Sequence, residues 1–532
     1  MHRRFSIHPG RRRRCLLVLT AAVVLLAGCT GAGSDEAVGQ GGGTLNVAIS
    51  EEAGVLDPHV YTGNFLLLDM LYEPLVTYGE DGALEPGLAS SWKVSEDGRQ
   101  VVFELRRGVR FHDGAPFDAP AVKWSFDRWV GKEDYGFLRT STVIQRVEAT
   151  DSDTVTLTLS EPYEPLIQEL SIVRPVRFLS PASVSADAAF SQPVGTGPWR
   201  FESSSSTEAV LVRNDDYWGG TPTLERVRFT VIPDSQTRVS ALRSGEVDLI
   251  GGSYLAPITP LEATRLQQTD GVRMLTGDPD TTFLLSFSTR GPTADRTVRE
   301  AIGLAIDREA LRTVLYSGLG DPAATLFPPG VPDAGTAMDL HLDPARARAV
   351  LDAAGWAEAD GPRARNGTPL ALELVVPSDP VHGVQDSRTS AEAVAAALGE
   401  IGITVTIRSV DSAAYLDERA AGNYDLSFVE TLGAPYDPSS SVVSYLTSTA
   451  DAGGVIWTTP ELDRLVDAAL FAGDPGARAG AYQAIYDVLE RDAAFVPIIH
   501  RPRLWATGPA VSGFDVPVTE YDLDLRGVTV SR

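Results

Sequence analysis

Residues 86–126 read PGLASSWKVSEDGRQVVFELRRGVRFHDGAPFDAPAVKWSF. Alternating apolar residues on either side of Asp97-Gly98 predict a β-hairpin from Val94 to Phe111, with the glycine supplying the turn because it tolerates positive φ. Asp118 then predicts the N-cap of a helix that carries Val122, Phe126 and Trp129 on one face.

Upstream, order begins at Thr44, where Leu45, Val47 and Ile49 alternate with Asn46, Ala48 and Ser50, a strand pattern. Downstream, strand signals return at Thr154–Leu159, Ala209–Arg213 and Val227–Ile232. After about residue 280 the texture changes to alternating strands and helices. Val298–Tyr316 reads as amphipathic helix, with Ile302, Ile306 and Leu315 on or near one face. Asp343-Pro344 starts a helix that Gly355 ends. The alanine-rich stretch Thr389–Leu398 reads as a helix feeding the strand Ile403–Ile407, a βαβ arrangement of a sheet covered by helices.

The N-terminus has a different character. Six arginines and no acid lie in residues 1–14, followed by an uncharged apolar run from Cys15 to Ala27. That run falls short of the roughly 20 apolar residues a spanning helix needs, so residues 1–28 read as a secretory signal peptide. It ends in Leu26-Ala27-Gly28-Cys29, which resembles a bacterial lipobox. The resemblance implies lipidation of Cys29, with residues 29–43, rich in Gly, Ala and Ser, as a flexible tether. Cys15 and Cys29 are the only cysteines, so removal of the leader excludes a disulfide or a thiolate metal site. The chain has 45 basic and 71 acidic residues, a net charge of −26. Such an acidic chain repels nucleic acid and anionic headgroups. With 532 residues it is too long for one core, and at least two lobes are expected.

The opening stretch, with VGTGPW (194–199), RNDDYWGG (213–220), SGEVDLI (244–250), VREAIGLAID (298–307) and PII (497–499), resembles the family 5 extracellular solute-binding proteins of ABC importers. These matches stand in the family's order over nearly the whole mature chain. They imply a two-lobe, periplasmic-binding-protein-like α/β fold of type II, similar to cluster C, with an extra subdomain in the first lobe. Lobe I would comprise residues 44–280 and 505–532, and lobe II residues 281–504. Crossings are expected near Thr276–Phe283 and Ile499–Leu504. The resemblance further implies a monomer that hands a small ligand to a permease and its ATPase, held by its lipid on the outer face of the membrane, with no cofactor and no catalysis.

Within the family, Leu170–Phe178 and Gly433–Pro438 resemble the nickel-type binders. By that likeness Arg174 grips carboxylates of a metal chelator, and Tyr436 and Tyr61 line the cavity with Phe137 and Leu432. The chain departs from the pattern where Phe137 replaces a tryptophan, Leu432 an aromatic residue, Asp134 an arginine and Leu66 a methionine. The loop 446–455 has no histidine. A peptide is the alternative ligand, yet the aspartate that holds a peptide's ammonium in relatives is Ala434 here, leaving Asp437 or Glu430 as substitutes. A ligand-sensing surface lipoprotein is a further alternative.

The residues themselves favour little direct metal binding. The five histidines after the leader, His59, His112, His341, His382 and His500, show no metal-ligand spacing. His59 is the one placed near the Tyr61 segment. There is no Gly-x-Ser-x-Gly elbow and no phosphate-cradling loop ending in Gly-Lys-Ser/Thr. Trp92, Trp199, Trp218 and Trp356 read as packing residues.

Overall fold

The computed structural model describes residues 42–60, 63–79, 83–136, 138–185, 189–333, 335, 337–359, 361–378, 387–431, 438–448 and 454–531. Cys29, Tyr61, Phe137, Leu432 and Tyr436 lie outside them.

Two large sheets organise the chain. The first has seven strands in the order Arg273–Gly277, Arg503–Thr507, Leu249–Gly251, Thr44–Ile49, Arg226–Val231, Glu208–Arg213 and Trp199–Ser204. The expected first strand sits in the middle of this sheet, parallel to both neighbours. Leu45, Val47 and Ile49 are fully buried, as the alternation predicts, and so is Ala48 on the other face, because the strand is central and covered on both sides. The second sheet has six strands in the order Asp321–Pro322, Phe495–His500, Thr282–Phe287, Leu426–Glu430, Ala371–Pro377 and Thr404–Val410. Ala371–Pro377 pairs parallel with Thr404–Val410 across the helix Ser387–Gly399, which is the expected βαβ unit. The chain passes between the sheets twice, at residues 278–281 and 501–502. This is a two-lobe α/β architecture.

A four-stranded antiparallel sheet, Ala89–Val94, Gln100–Leu105, Thr154–Leu159 and Ile144–Ala149, forms a further layer whose buried residues join one hydrophobic cluster with those of the second sheet. The hairpin is real but lies earlier than the expected 94–111, its inner pair being Val94 and Val101. Asp97 fixes the turn by accepting from Ser95 Oγ at 2.6 Å and from Arg99 N at 3.1 Å, with Gly98 at φ 66°. The second strand stops at Leu105 because Gly108, at φ 82°, turns the chain. Asp118 caps the helix Ala119–Asp127 by accepting from Ala121 N at 3.0 Å, and Val122, Phe126 and Trp129 are buried.

The amphipathic stretch 298–316 is two helices rather than one. Arg296–Ala305 ends at the extended Ile306, and Asp307 caps Arg308–Leu315 by accepting from Ala310 N at 2.9 Å. A capping aspartate inside an apolar pattern is a start signal, and here it outweighs the continuous periodicity. The VGTGPW motif is more than a turn. A Cβ on Gly195 would lie 1.9 Å from Leu71 O, and one on Gly197 2.5 Å from Met70 O. Only glycine lets this strand entry press against the end of the helix Phe65–Leu71.

Candidate ligand cleft

A cleft of about 1790 Å³ is lined chiefly by residues from 65–87, 171–177 and 513–527 and reaches Gly330, Val331 and Ser444. Arg174 stands on its wall, in the segment that follows the short helix Leu166–Glu169. Its Nη1 donates to Gly63 O at 3.0 Å, and its guanidinium lies 3.5 Å from the ring centroid of Phe65. Phe65 continues into an aromatic group with Tyr254 and Tyr521, whose rings stack at 5.4 Å. A guanidinium flat on an aromatic face is held in orientation, and Arg174 is only 7% exposed. Its position suits a planar anionic group such as a carboxylate.

Behind it, Arg177 tightens the same segment. Its Nη1 donates to Ser171 O and Ile172 O at 2.7 and 2.9 Å, and Nη2 pairs with Asp69 Oδ1 at 3.0 Å. Burial, and then the charge of Asp522, push the Asp69 carboxyl up to about 7 against the pull of Arg177. The Arg177 carbonyl faces His59 Nε2 at 3.1 Å, while His59 Nδ1 accepts from Arg128 Nε at 2.7 Å. His59 is therefore a sealed structural histidine, 2% exposed and off the cleft wall. Burial and Arg128 lower its pKa to about 3, keeping it neutral.

Several wall residues were not expected. Tyr217 and Trp218 of the RNDDYWGG motif donate to the two oxygens of Glu73 at 2.7 and 3.0 Å. All three face the cleft, so Trp218 is a wall residue as well as a packing one. Trp199 and Trp356 are buried, and Trp92 is half-buried against the core, in keeping with packing. Leu66 is wholly buried, whereas its neighbour Phe65 takes the cleft position. Asp134 is exposed and off the wall.

The crossing segments carry a buried charged cluster. Glu430 is neither a turn cap nor solvent-exposed. Its Oε1 accepts from Thr281 at 2.7 Å and its Oε2 faces Arg501 Nη1 at 3.1 Å. Glu430 and Glu520 both line a cavity of about 70 Å³ between the sheets. Asp280 contacts the Glu520 carboxyl and lies 3.7 Å from Arg503 Nε. Two carboxyls in contact need a shared proton. Burial first pushes Glu430 up to about 7 and Asp280 up to about 6, and raises Glu520 well above the usual carboxylate range. Among the described residues, no group of three or more His, Cys, Asp or Glu side chains is placed to hold a metal ion.

The family model for bacterial extracellular solute-binding proteins, family 5 (middle), matches residues 83–453. The nickel-binding periplasmic protein of Escherichia coli K12 is 33% identical over 471 residues, covering 85% of this chain and 88% of that one. Glutathione-binding protein GsiB of the same organism is 25% identical, over 97% and 99% of the two chains. Among solved structures, NikA from Brucella suis in complex with Fe(III)-EDTA matches at TM-score 0.86 and 33% identity, covering 92% of this chain and 100% of that one. An ABC transporter substrate-binding protein from Sinorhizobium meliloti matches at TM-score 0.78 and 41% identity, over 92% and 100%.

Proposed function

The chain belongs to the bacterial extracellular solute-binding proteins of family 5, and we propose that it captures a carboxylate-bearing small molecule, a metal chelate first among them, for import. The family serves ABC importers outside the cytoplasm as ligand-binding, non-catalytic subunits. The observation that carries the ligand reading is Arg174, a guanidinium held flat on Phe65 in the cleft wall. A relative at TM-score 0.86 holds iron inside a polycarboxylate, the kind of ligand such an arginine suits.

In this reading residues 44–280 and 505–532 form one lobe and 281–504 the other, and ligand contacts with both select the closed state. Tyr61, Phe137, Leu432 and Tyr436 complete the cavity. Residues 1–28 are removed and a lipid on Cys29 tethers a monomer to the outer face of the membrane. No helix among the described residues is long and apolar enough to cross it.

Calorimetry decides between ligands. The purified chain is titrated with Ni²⁺ alone, with Ni²⁺ and excess histidine, with Fe(III)-EDTA, and with glutathione. Heat with a chelate and none with the bare ion supports the reading. Tight binding of the bare ion refutes it. Heat with glutathione alone moves the assignment to peptides, the second reading, which the 25% identity to a glutathione-binding protein favours.

A further inference from the structure

The loop that leaves the four-stranded layer touches the helices before the second crossing at the rim of the cleft. Arg478, in the helix Pro475–Arg491, reaches across. Its Nη1 meets Glu164 Oε2 at 2.5 Å and its Nε meets Asp333 Oδ2 at 3.2 Å. Arg478 also lies 5.3 Å from the ring of Tyr482 within its own helix. Beside this pair, Phe471 sits 5.9 Å from the ring of Tyr163 and 5.2 Å from the guanidinium of Arg139.

Both halves are anchored in their own lobe. Tyr163 donates to Glu169 Oε1 at 2.5 Å, and Arg139 pairs with Glu161 at 2.9 Å. Across the rim, Tyr486 donates to Asp333 O at 2.6 Å. The Arg478 side chain is 8% exposed, while that of Glu164 is 43% exposed. The neighbours of this contact in sequence, Leu138 and Val331, are themselves cleft wall.

We propose that Arg478, with Glu164 and the Tyr163–Phe471–Arg139 contact, forms a clasp that holds the two lobes together at the cleft rim and slows release of the ligand. The clasp rests on the solute-binding reading for its purpose but not for its existence. An arginine already bound by Asp333 is pre-positioned for Glu164, so closing costs little side-chain entropy. With Glu164 half in solvent, the ion pair is a modest one. That suits a contact that must open in each cycle, and it shifts the closed population by a factor of about two to five.

The test needs no ligand. Scattering from the ligand-free chain is compared with that of Glu164→Arg, which sets like charges across the rim without disturbing either core, and of Glu164→Gln. The clasp predicts a larger radius of gyration for Glu164→Arg, a smaller change for Glu164→Gln, and unchanged circular dichroism in both. It also predicts that Glu164→Gln adds nothing to Arg478→Ala, since both remove one contact. Scattering curves superimposable on wild type for Glu164→Arg and Arg478→Ala would overturn it. Separation of the lobes in a chain that binds none of the four calorimetric probes would leave the clasp standing and count against the ligand reading alone.

Discussion

At the scale of single residues, Arg174 carries the most. If it pairs with a ligand carboxylate, Arg174→Ala costs about 2–5 kcal/mol of affinity, a loss of roughly thirty-fold to a few thousand-fold by calorimetry. Arg174→Lys restores part, since an ammonium keeps the charge but neither the fork nor the stacking on Phe65. His59 makes a different prediction. Its folded pKa, about 3, is below the ordinary 6.5, so the unfolded chain binds the extra proton between those values. The stability it supports is present above pH 6.5 and is lost as pH falls toward 3. His59→Gln should therefore flatten the fall in melting temperature between pH 6.5 and 4, and an unchanged slope would contradict this. Arg174 was legible only through the family resemblance, because an arginine before proline says nothing by itself. Arg177, three residues on, lines the same cleft and is more deeply buried, at 2% against 7% exposed, and no sequence signal separates it from Arg174.

At the scale of elements, the hairpin turn, the Asp118 cap and the first strand could all be read from local chemistry. Gly98, a capping carboxylate and alternating valines act within a few residues of where they stand. What local chemistry hides is contact between distant segments. Gly195 and Gly197 resemble turn glycines, yet their role is to admit the backbone of the helix Phe65–Leu71. Gly195→Ala forces a methyl group to within 1.9 Å of Leu71 O unless the backbone moves. We expect it to lower stability by about 3 kcal/mol in a denaturant titration, whereas Gly220→Ala, with open space around its Cβ, meets only the strain of its positive φ. The break at Ile306 and Asp307 was missed because apolar periodicity runs through it. The Asp307 cap was the available signal.

At the scale of the whole molecule, the order of motifs made two lobes readable, while the charged cluster between the sheets was not, since Asp280, Glu430, Arg501 and Glu520 meet only in the fold. Glu430 holds its proton up to about pH 7 when folded, against an ordinary value near 4.3. Its contribution to stability is thus full below the ordinary value and is lost as pH rises toward 7. Glu430→Gln should gain in melting temperature relative to wild type between pH 5 and 8, and a constant difference would argue against the shifted carboxyl. The central claim is that the cleft takes a carboxylate-bearing small molecule through Arg174. Mass spectrometry of the small molecules released from the chain as purified from its own host, beside Arg174→Ala prepared identically, tests it most directly. The account predicts a carboxylate-bearing molecule or metal chelate that accompanies wild type and is lost from a still-folded Arg174→Ala. The same molecule at equal occupancy in both proteins, or one without a carboxylate, would contradict it.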